Sequence, residues 1–311
     1  MAGANLPAKK YQHSSPTVTR LSFESTGNAT RFISISRALS AINRKFYRAG
    51  VYYYVNSVEV YNNEAGVIDL HTIPDTWVSK NAHARGLKLF TKMNSMVDDI
   101  SAVGRPKYHD FKVYMSNYHR TNGDLQPSTY NINAVNQPVG TDEWVYSNFT
   151  SADDDQDGIA NADEFTVHML GGHVGNSDNW DSVGLIKSYA ESRNTVPLAS
   201  PEDLNIESND PLINIFDFSS EEQMNDIIQN LQTENDSPPY DINKYVGEDS
   251  ATMHHAARIG TETGINRIGR AAGFCVPFGL LCIDPQNVDS DYRIVLNLAV
   301  GTYHGVYAER A

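Results

Sequence analysis

The sequence predicts a mainly β protein, a β-sandwich with inserted helices and long loops. Three observations predict this fold class. Short runs rich in alternating, β-branched or aromatic residues recur along the chain, clusters of Gly, Asn, Asp and Pro separate them, and few stretches have helical spacing. The 311 residues are 40% hydrophobic, which is enough for a packed core. Since no internal repeat or linker divides the chain, we expect a single domain over residues 1–311.

The first elements are predicted before residue 50. Thr17–Phe23 and Thr30–Ser34 alternate between apolar and polar residues and are separated by a turn-forming sequence, so they predict two strands. From Ser36 to near Gly50, apolar residues recur at helical spacing, which predicts a short helix.

The next segment contains the strongest strand pattern. Val51–Tyr61 and Val67–Ile73 are rich in β-branched and aromatic residues and are joined by a short polar link, so they predict a hairpin. Trp77–Val103 then has broadly helical spacing, which predicts a helical insertion near residues 76–103.

Beyond Pro106 the chain returns to β character. Ser219–Thr233 predicts a second helical insertion near residues 219–233. The predicted strands are Phe111–Tyr118, Glu143–Phe149, Phe165–Leu170, Val183–Glu191, Phe274–Ile283, Tyr292–Leu298 and Thr302–Ala308. Strands at this spacing favour a sandwich.

Cysteine content and hydropathy exclude several classes of protein. The only two cysteines are Cys275 and Cys282, so a disulfide framework is excluded. If Phe274–Ile283 is one straight strand, the two lie too far apart to bond and are buried small hydrophobes. No apolar run is long enough for a membrane span, and Met1–Ser15 has no signal-peptide core, so we expect a soluble chain that is not exported.

Charge is distributed unevenly along the chain. The net charge is −14, yet residues 1–120 carry 16 Lys and Arg against 8 Asp and Glu, and residues 121–311 carry 8 against 30. A positive end on an acidic body favours contact with a polyanion, although an ordinary solvated surface is the alternative. The first 48 residues contain one acid, Glu24, and eight cations: Lys9, Lys10, Arg20, Arg31, Arg37, Arg44, Lys45 and Arg48.

One acidic segment has the spacing of a calcium loop. Carboxylates at positions 1, 3 and 5, Gly158 at position 6 and a closing glutamate at position 12 suit Ca²⁺, because alternate side chains converge on the ion. The loop resembles the Asp-rich loops of thrombospondin-type calcium modules and EF-hand-like loops. The alternative is a solvated acidic turn. The candidate ligands are Asp153, Asp155, Asp157, Ile159, Asn161, Asp163 and Glu164.

The sequence predicts no enzyme. Ten histidines include the pairs His168/His173 and His254/His255, but neither pair has His-Glu-x-x-His spacing. Neither a serine nucleophile elbow nor a phosphate-binding glycine loop occurs.

Four segments carry a family resemblance. Ala41–Tyr61, Asp69–Val78, Val276–Ile283 and Tyr292–Tyr307 resemble capsid proteins of environmental small circular single-stranded DNA viruses. The resemblance implies a jelly-roll viral protein, a homo-oligomer that forms the icosahedral shell of a virion around a small DNA genome. On this interpretation the N-terminal cations neutralise genome phosphates nonspecifically, and calcium braces contacts between subunits.

Two other functions fit parts of the sequence. The Asp-rich loop also suits an extracellular calcium-binding β-sandwich that serves as an adhesion module. The His168/His173 pair is the candidate site of a metal-dependent hydrolase.

Overall fold

The computed structural model describes residues 16–62, 64–98, 106–133, 135–140, 142–150, 164–176, 179–193, 238–241, 244–261, 268–288 and 290–310. The chain divides into two compact units, Met1–Tyr189 with Val246–Ala311, and Ala190–Tyr245. Most of the second unit lies outside the described residues, so the expected single domain stays a prediction. The predicted helix at Ser219–Thr233 also lies outside them.

The chain is mainly β, as predicted. The helices are α1 (Ile35–Asn43), α2 (Trp77–Asp98), α3 (Asn117–Asn122) and α4 (Leu185–Glu191). The strands are β1 (Arg20–Thr26), β2 (Arg31–Ser34), β3 (Val51–Asn62), β4 (Val67–Thr72), β5 (Tyr114–Ser116), β6 (Ser128–Tyr130), β7 (Asn136–Pro138), β8 (Asn148–Thr150), β9 (Glu164–Leu170), β10 (Val174–Asn176), β11 (Asn179–Gly184), β12 (His254–Gly260), β13 (Ile268–Val276), β14 (Leu280–Gln286), β15 (Asp291–Leu298), β16 (Val300–Tyr303) and β17 (Ala308–Arg310).

Eight strands and the short β17 form two antiparallel sheets. The first sheet has the order β1-β15-β3-β13, with β17 paired to the start of β3, and the second has the order β12-β4-β14-β2. A third sheet, β10-β11-β9-β5 with β8 on β9, lies in the region inserted between β4 and β12, and β6 pairs with β7. We refer to the first two sheets as the sandwich and to residues 73–189 as the inserted region.

The core of the sandwich is built from alternate residues of both sheets. Leu21 and Phe23 from the first sheet join Ile68 and Leu70 from the second in one buried cluster. Because successive side chains in a strand point to opposite faces, each sheet contributes one apolar face to this core. The sandwich therefore has a single continuous interior.

The predicted hairpin of β3 and β4 is wrong. β3 pairs with β13, β15 and β17, whereas β4 pairs with β12 and β14 in the other sheet. The link between Asn62 and Val67 therefore crosses from one sheet to the other, and Thr261 holds it by donating its amide to the carbonyl of Gly66. A hairpin and an inter-sheet crossing have the same local strand pattern, so sequence periodicity does not distinguish them.

The predicted strand Phe274–Ile283 is two strands in different sheets. A 3₁₀ turn at Pro277–Gly279 separates β13 from β14, and Phe278 and Gly279 have φ values of 57° and 69°. Cys275 and Cys282 therefore lie on different sheets, and both are free thiols. The premise of one straight strand was wrong, but Cys282 is buried as expected.

Both helices predicted in the N-terminal half are present. α1 begins at Ile35, one residue before the predicted start, because the hydroxyl of Ser34 accepts from the amide of Arg37 as its N-cap, and it ends at Asn43, before the predicted end near Gly50. α2 begins at the predicted Trp77 and is described as far as Asp98. Gly86 permits close packing, because a Cβ there would lie 3.0 Å from Leu185 and 3.1 Å from Phe111. Within the described ranges, no helix combines the length and apolarity needed to cross a bilayer.

Two predicted strands of the inserted region become a strand followed by a helix. Val183–Glu191 is strand only to Gly184 and continues as α4, while Phe111–Tyr118 contributes β5 and then α3. Each segment changes from strand to helix within a few residues. Over such short lengths, the two-residue period of a strand cannot be distinguished from the period of a helix in the sequence.

Candidate functional site

Six of the eight predicted cations lie within the described residues. Arg20, Arg31 and Arg37 form a first group on β1, β2 and α1, and Arg44, Lys45 and Arg48 form a second group. Lys9 and Lys10 lie outside those residues. Arg20 is on the outer face of the first sheet, where its guanidinium binds Glu59 at 2.9 Å. Arg37 turns inward and binds Asp124 at 2.9 Å, with 20% of its side chain exposed. Arg37 is therefore part of an internal ion pair.

The second group lies where α1 ends. Arg44 occupies the left-handed C-cap position and is exposed, and the ammonium of Lys45 donates to the carbonyl of Pro16 at 2.9 Å. Tyr47 is fully buried, and its hydroxyl donates to the carbonyl of His304, whereas Arg48 is exposed. The buried Tyr47 thus anchors a short segment whose cationic side chains lie at the surface.

A segment distant in sequence extends this positive region. The ring of Tyr108 lies 5.7 Å from that of Phe46, and the ammonium of Lys107 lies 5.5 Å from the Tyr108 centroid. Tyr108 is 59% exposed. We define the basic surface as Arg44, Lys45, Arg48 and Lys107 with the ring of Tyr108. Sequence analysis missed the last two, because only the fold brings residues 107–108 to the end of α1.

A partly buried carboxylate, that of Asp110, lies beside this segment. Asp110 accepts the amide of Ala49 at 2.8 Å. Burial raises the pKa of Asp110, and Arg48 and Lys112 oppose that rise by favouring the charged form. On a chain with a net charge of −14, the basic surface is a local concentration of positive charge.

A buried polar network joins the inserted region to the sandwich. Met115 donates its amide to Nδ1 of His119, so Nε2 carries the proton and donates to Asp124 at 2.9 Å. The second oxygen of Asp124 accepts from Tyr146 at 2.7 Å and from Arg37 at 2.9 Å. Both nitrogens of His119 are engaged within the protein, so the network positions chain segments and presents no free base.

The pair His168 and His173 is also engaged internally. Nε2 of His168 donates to the carbonyl of Gly172 at 3.0 Å, which leaves Nδ1 to accept from the hydroxyl of Ser182 at 2.8 Å. Burial lowers the pKa of His168 to about 4. Nδ1 of His173 accepts the amide of Gly184 at 3.1 Å. A zinc ion at this pair would have to displace these hydrogen bonds.

The other histidine pair lies on β12, the edge strand of the second sheet. Nε2 of His255 lies 3.2 Å from Asp69, and its ring contacts that of His71 at a centroid distance of 5.3 Å. His254 is exposed. These residues form a charged face of the sheet.

The predicted calcium loop falls almost wholly outside the described residues. Asp153, Asp155, Asp157, Ile159, Asn161 and Asp163 are not described. Glu164, the closing ligand, is the first residue of β9, is exposed and pairs with Thr150. Across the described residues, no three His, Cys, Asp or Glu side chains come together as a metal-binding group.

Comparison with known proteins finds no match to a protein-family model, to a curated protein or to a solved structure.

Proposed function

We propose that the chain is a non-enzymatic capsid subunit of the jelly-roll type, which assembles with copies of itself into an icosahedral shell around a small DNA genome. The proposal rests on the strand order of the sandwich and is supported by the placement of the basic surface.

The strand order is the observation that carries the proposal. Counted along the chain, the eight sandwich strands pair first with eighth (β1–β15), second with seventh (β2–β14), third with sixth (β3–β13) and fourth with fifth (β4–β12). A long antiparallel double strand rolled around a core would give this pairing. Two Greek keys in eight strands are the jelly-roll arrangement, which recurs in viral capsid domains.

The basic surface is the proposed contact with the genome. Arg44, Arg48 and Lys107 can neutralise phosphates without reading sequence, and the exposed ring of Tyr108 can stack on a base. Lys9 and Lys10 precede Pro16 in the sequence, and the carbonyl of Pro16 accepts a hydrogen bond from Lys45. On this proposal Arg20 and Arg37 serve the subunit itself, through their ion pairs with Glu59 and Asp124.

The calcium part of the proposal rests on sequence spacing. Residues 153–164 provide carboxylates at the positions that bind Ca²⁺, and an ion there would order a long connection between β8 and β9. In an assembled shell, such an ion would brace contacts between subunits.

Negative-stain electron microscopy of the purified chain tests the assembly. We expect uniform closed particles in millimolar Ca²⁺ and their loss or swelling after chelation with EDTA. The double variant Asp155→Asn/Asp157→Asn should behave in Ca²⁺ as the wild type does in EDTA, while Asp142→Asn, an exposed acid outside the loop, should assemble normally. A dispersed monomer in every condition would refute the capsid proposal. If the particles are unchanged both by EDTA and by the double substitution, only the role of calcium would be refuted.

Oligonucleotide binding at several salt concentrations tests the basic surface. The triple variant Arg44→Gln/Arg48→Gln/Lys107→Gln should bind more weakly, and the slope of log K against log salt should fall by about 0.7 to 0.9 per lost phosphate contact. The control removes the same charge from exposed arginines of the two sheets, as Arg20→Gln/Arg258→Gln/Arg270→Gln. Equal losses in both triple variants would mean that net charge, and not this surface, governs binding.

A further inference from the structure

A small polar pocket lies beside the first two strands of the sandwich. Its volume is about 260 Å³, and it opens between β1, β2, the loop after α3 and the β6–β7 hairpin. The side chains that matter for its chemistry are those of Glu24, Arg31, Asp124, Gln126 and Asn136. This pocket is separate from the basic surface.

Backbone hydrogen bonds fix the pocket walls. Leu125 donates its amide to the carbonyl of Phe32 at 2.7 Å, which ties the loop to β2. Val139 donates to the carbonyl of Pro127 at 2.9 Å, which ties the end of β7 to the same loop. The pocket is therefore formed before any ligand enters, and binding would require little ordering of the chain.

Both carboxylates in the wall already have cationic partners. Oε1 of Glu24 accepts from Tyr130 at 2.7 Å and from Arg293 at 3.0 Å. Asp124 is bound by Arg37, His119 and Tyr146, and 1% of its side chain is exposed. These two acids consequently do not supply the pocket with excess negative charge.

Three other polar side chains of the wall have few or no partners among the described residues. Oε1 of Gln126 and Oδ1 of Asn136 are buried and accept no hydrogen bond from any described residue. Arg31 makes one long bond, from Nε to the hydroxyl of Ser25 at 3.4 Å, and no carboxylate among the described residues pairs with it. A buried polar atom without a partner is costly, so these groups point to a ligand that offers both an anion and N–H donors.

We propose that this pocket binds a small zwitterion of the α-amino-acid class. Arg31 binds its carboxylate by charge-assisted hydrogen bonds, and the amide oxygens of Gln126 and Asn136 accept from its ammonium group. At about 30 Å³ per water molecule of liquid volume, the pocket holds the equivalent of roughly nine waters, which suits a ligand of about ten non-hydrogen atoms or fewer. The site is independent of shell assembly and of the proposed genome contact.

Calorimetric titration of the full chain with each of the common α-amino acids, after a thermal-shift screen, tests the proposal. We expect at least one to bind with a stoichiometry of one per chain. Acetate and methylammonium, which each carry half of the zwitterion, should bind at least tenfold more weakly, and so should inorganic phosphate. Phosphate that binds as tightly as the best amino acid would overturn the proposal in favour of a simple anion site.

Two variants probe opposite ends of the ligand. Arg31→Met should weaken amino-acid binding more than tenfold, and Asn136→Ala, on the partly exposed β7, should weaken it severalfold and keep the protein folded. Arg270→Met removes an arginine that is 71% exposed on the first sheet and should leave binding unchanged. If no amino acid saturates the wild type, water satisfies the amides and the proposal fails. Unchanged affinity in Asn136→Ala also overturns it, even where Arg31→Met does not fold.

Discussion

The sandwich and the inserted region are held together by different chemistry. The sandwich interior is a continuous apolar cluster from two sheets, with side chains such as Leu296 and Ile294 almost completely buried. The inserted region buries ionisable side chains, among them His83, His119 and His168. Apolar burial does not depend on pH, whereas a buried histidine or carboxylate does. The two regions should therefore respond differently to the same perturbation.

Removal of Asp124 should give the largest loss of stability. Asp124→Ala leaves Arg37, His119 and Tyr146 without their shared acceptor in a buried site, and we expect a loss of about 3–5 kcal/mol in the free energy of unfolding. Denaturant unfolding measures it. The exposed Asp142→Ala is the matched control, and a loss under about 1 kcal/mol in Asp124→Ala would mean that the network does not join the two regions.

The charge of Asp124 also predicts an acid transition. Burial opposes the charged form, but hydrogen bonds from His119, Tyr146 and Arg37 more than offset it, and the pKa of Asp124 lies below its ordinary value. A lowered carboxyl pKa contributes stability above the ordinary value, and this stability is lost as pH falls through the lowered pKa. Asp124→Asn should flatten the dependence of stability on pH below the ordinary carboxyl pKa of about 3.9.

Truncation of a side chain in the sandwich core should cause a similar or slightly smaller loss in the free energy of unfolding, and this loss should not depend on pH. Leu296→Ala opens a cavity at a fully buried position, and we expect a loss of about 2–5 kcal/mol. Because no charge changes, the loss should be equal at pH 7 and pH 5. The control Val300→Ala lies at a position that is 75% exposed and should change stability by less than about 0.5 kcal/mol. A cost for Leu296→Ala that changes with pH would contradict the division between the two regions.

The pattern of residues predicted most strand positions but not their partners. β3 and β4 were recognisable because β-branched and aromatic residues fill both, yet their assignment to different sheets depends on strands more than 180 residues later in the chain. Likewise, Gly86 weakens the helical pattern of α2, and its reason appears only when Leu185 packs against it. Local periodicity encodes which face of an element is buried, but not which element covers it.

The candidate sites also differ in how much of each could be predicted from the sequence. Arg44, Lys45 and Arg48 were accessible to sequence reasoning because they cluster along the chain, whereas Lys107 and Tyr108 join them only through the contact with Phe46. The pocket lined by Arg31 was not predictable, because Gln126 comes from the loop after α3 and Asn136 from β7, and neither segment has a sequence motif.

A fourth prediction concerns the buried histidine of α2. His83 packs against Phe111 and Phe278, and its Nε2 has no hydrogen-bond partner among the described residues. Burial lowers the pKa of His83 to about 4. Protonation of His83 is therefore less favourable in the folded state than in the unfolded state. The contribution of the neutral side chain to the free energy of unfolding is fully present above the ordinary pKa of about 6.5, and up to about 3 kcal/mol of it is lost as the pH decreases toward 4.

His83→Phe should remove that contribution. The aromatic substitution keeps a ring against Phe111 and Phe278, so stability at pH 7 should change little, while the loss between pH 6.5 and pH 4 should shrink. The control His254→Gln changes an exposed histidine and should preserve the wild-type pH profile. An unaltered profile in His83→Phe would assign the pH response to other groups, such as His168.

The exposed ion pair of Arg20 and Glu59 should give the smallest effect. Its two side chains lie 2.9 Å apart on the outer face of the first sheet, but 59% of the Arg20 side chain is exposed. Solvent screens such a pair, so Arg20→Gln should cost less than about 1 kcal/mol, and 1 M salt should abolish the difference from the wild type. The same salt should change the cost of Asp124→Ala little, because that carboxylate is shielded from solvent. The contrary result is that Arg20→Gln lowers the free energy of unfolding as much as Asp124→Ala does, even in high salt. That result would show that the sandwich also depends on charge, and it would contradict the contrast between the two regions.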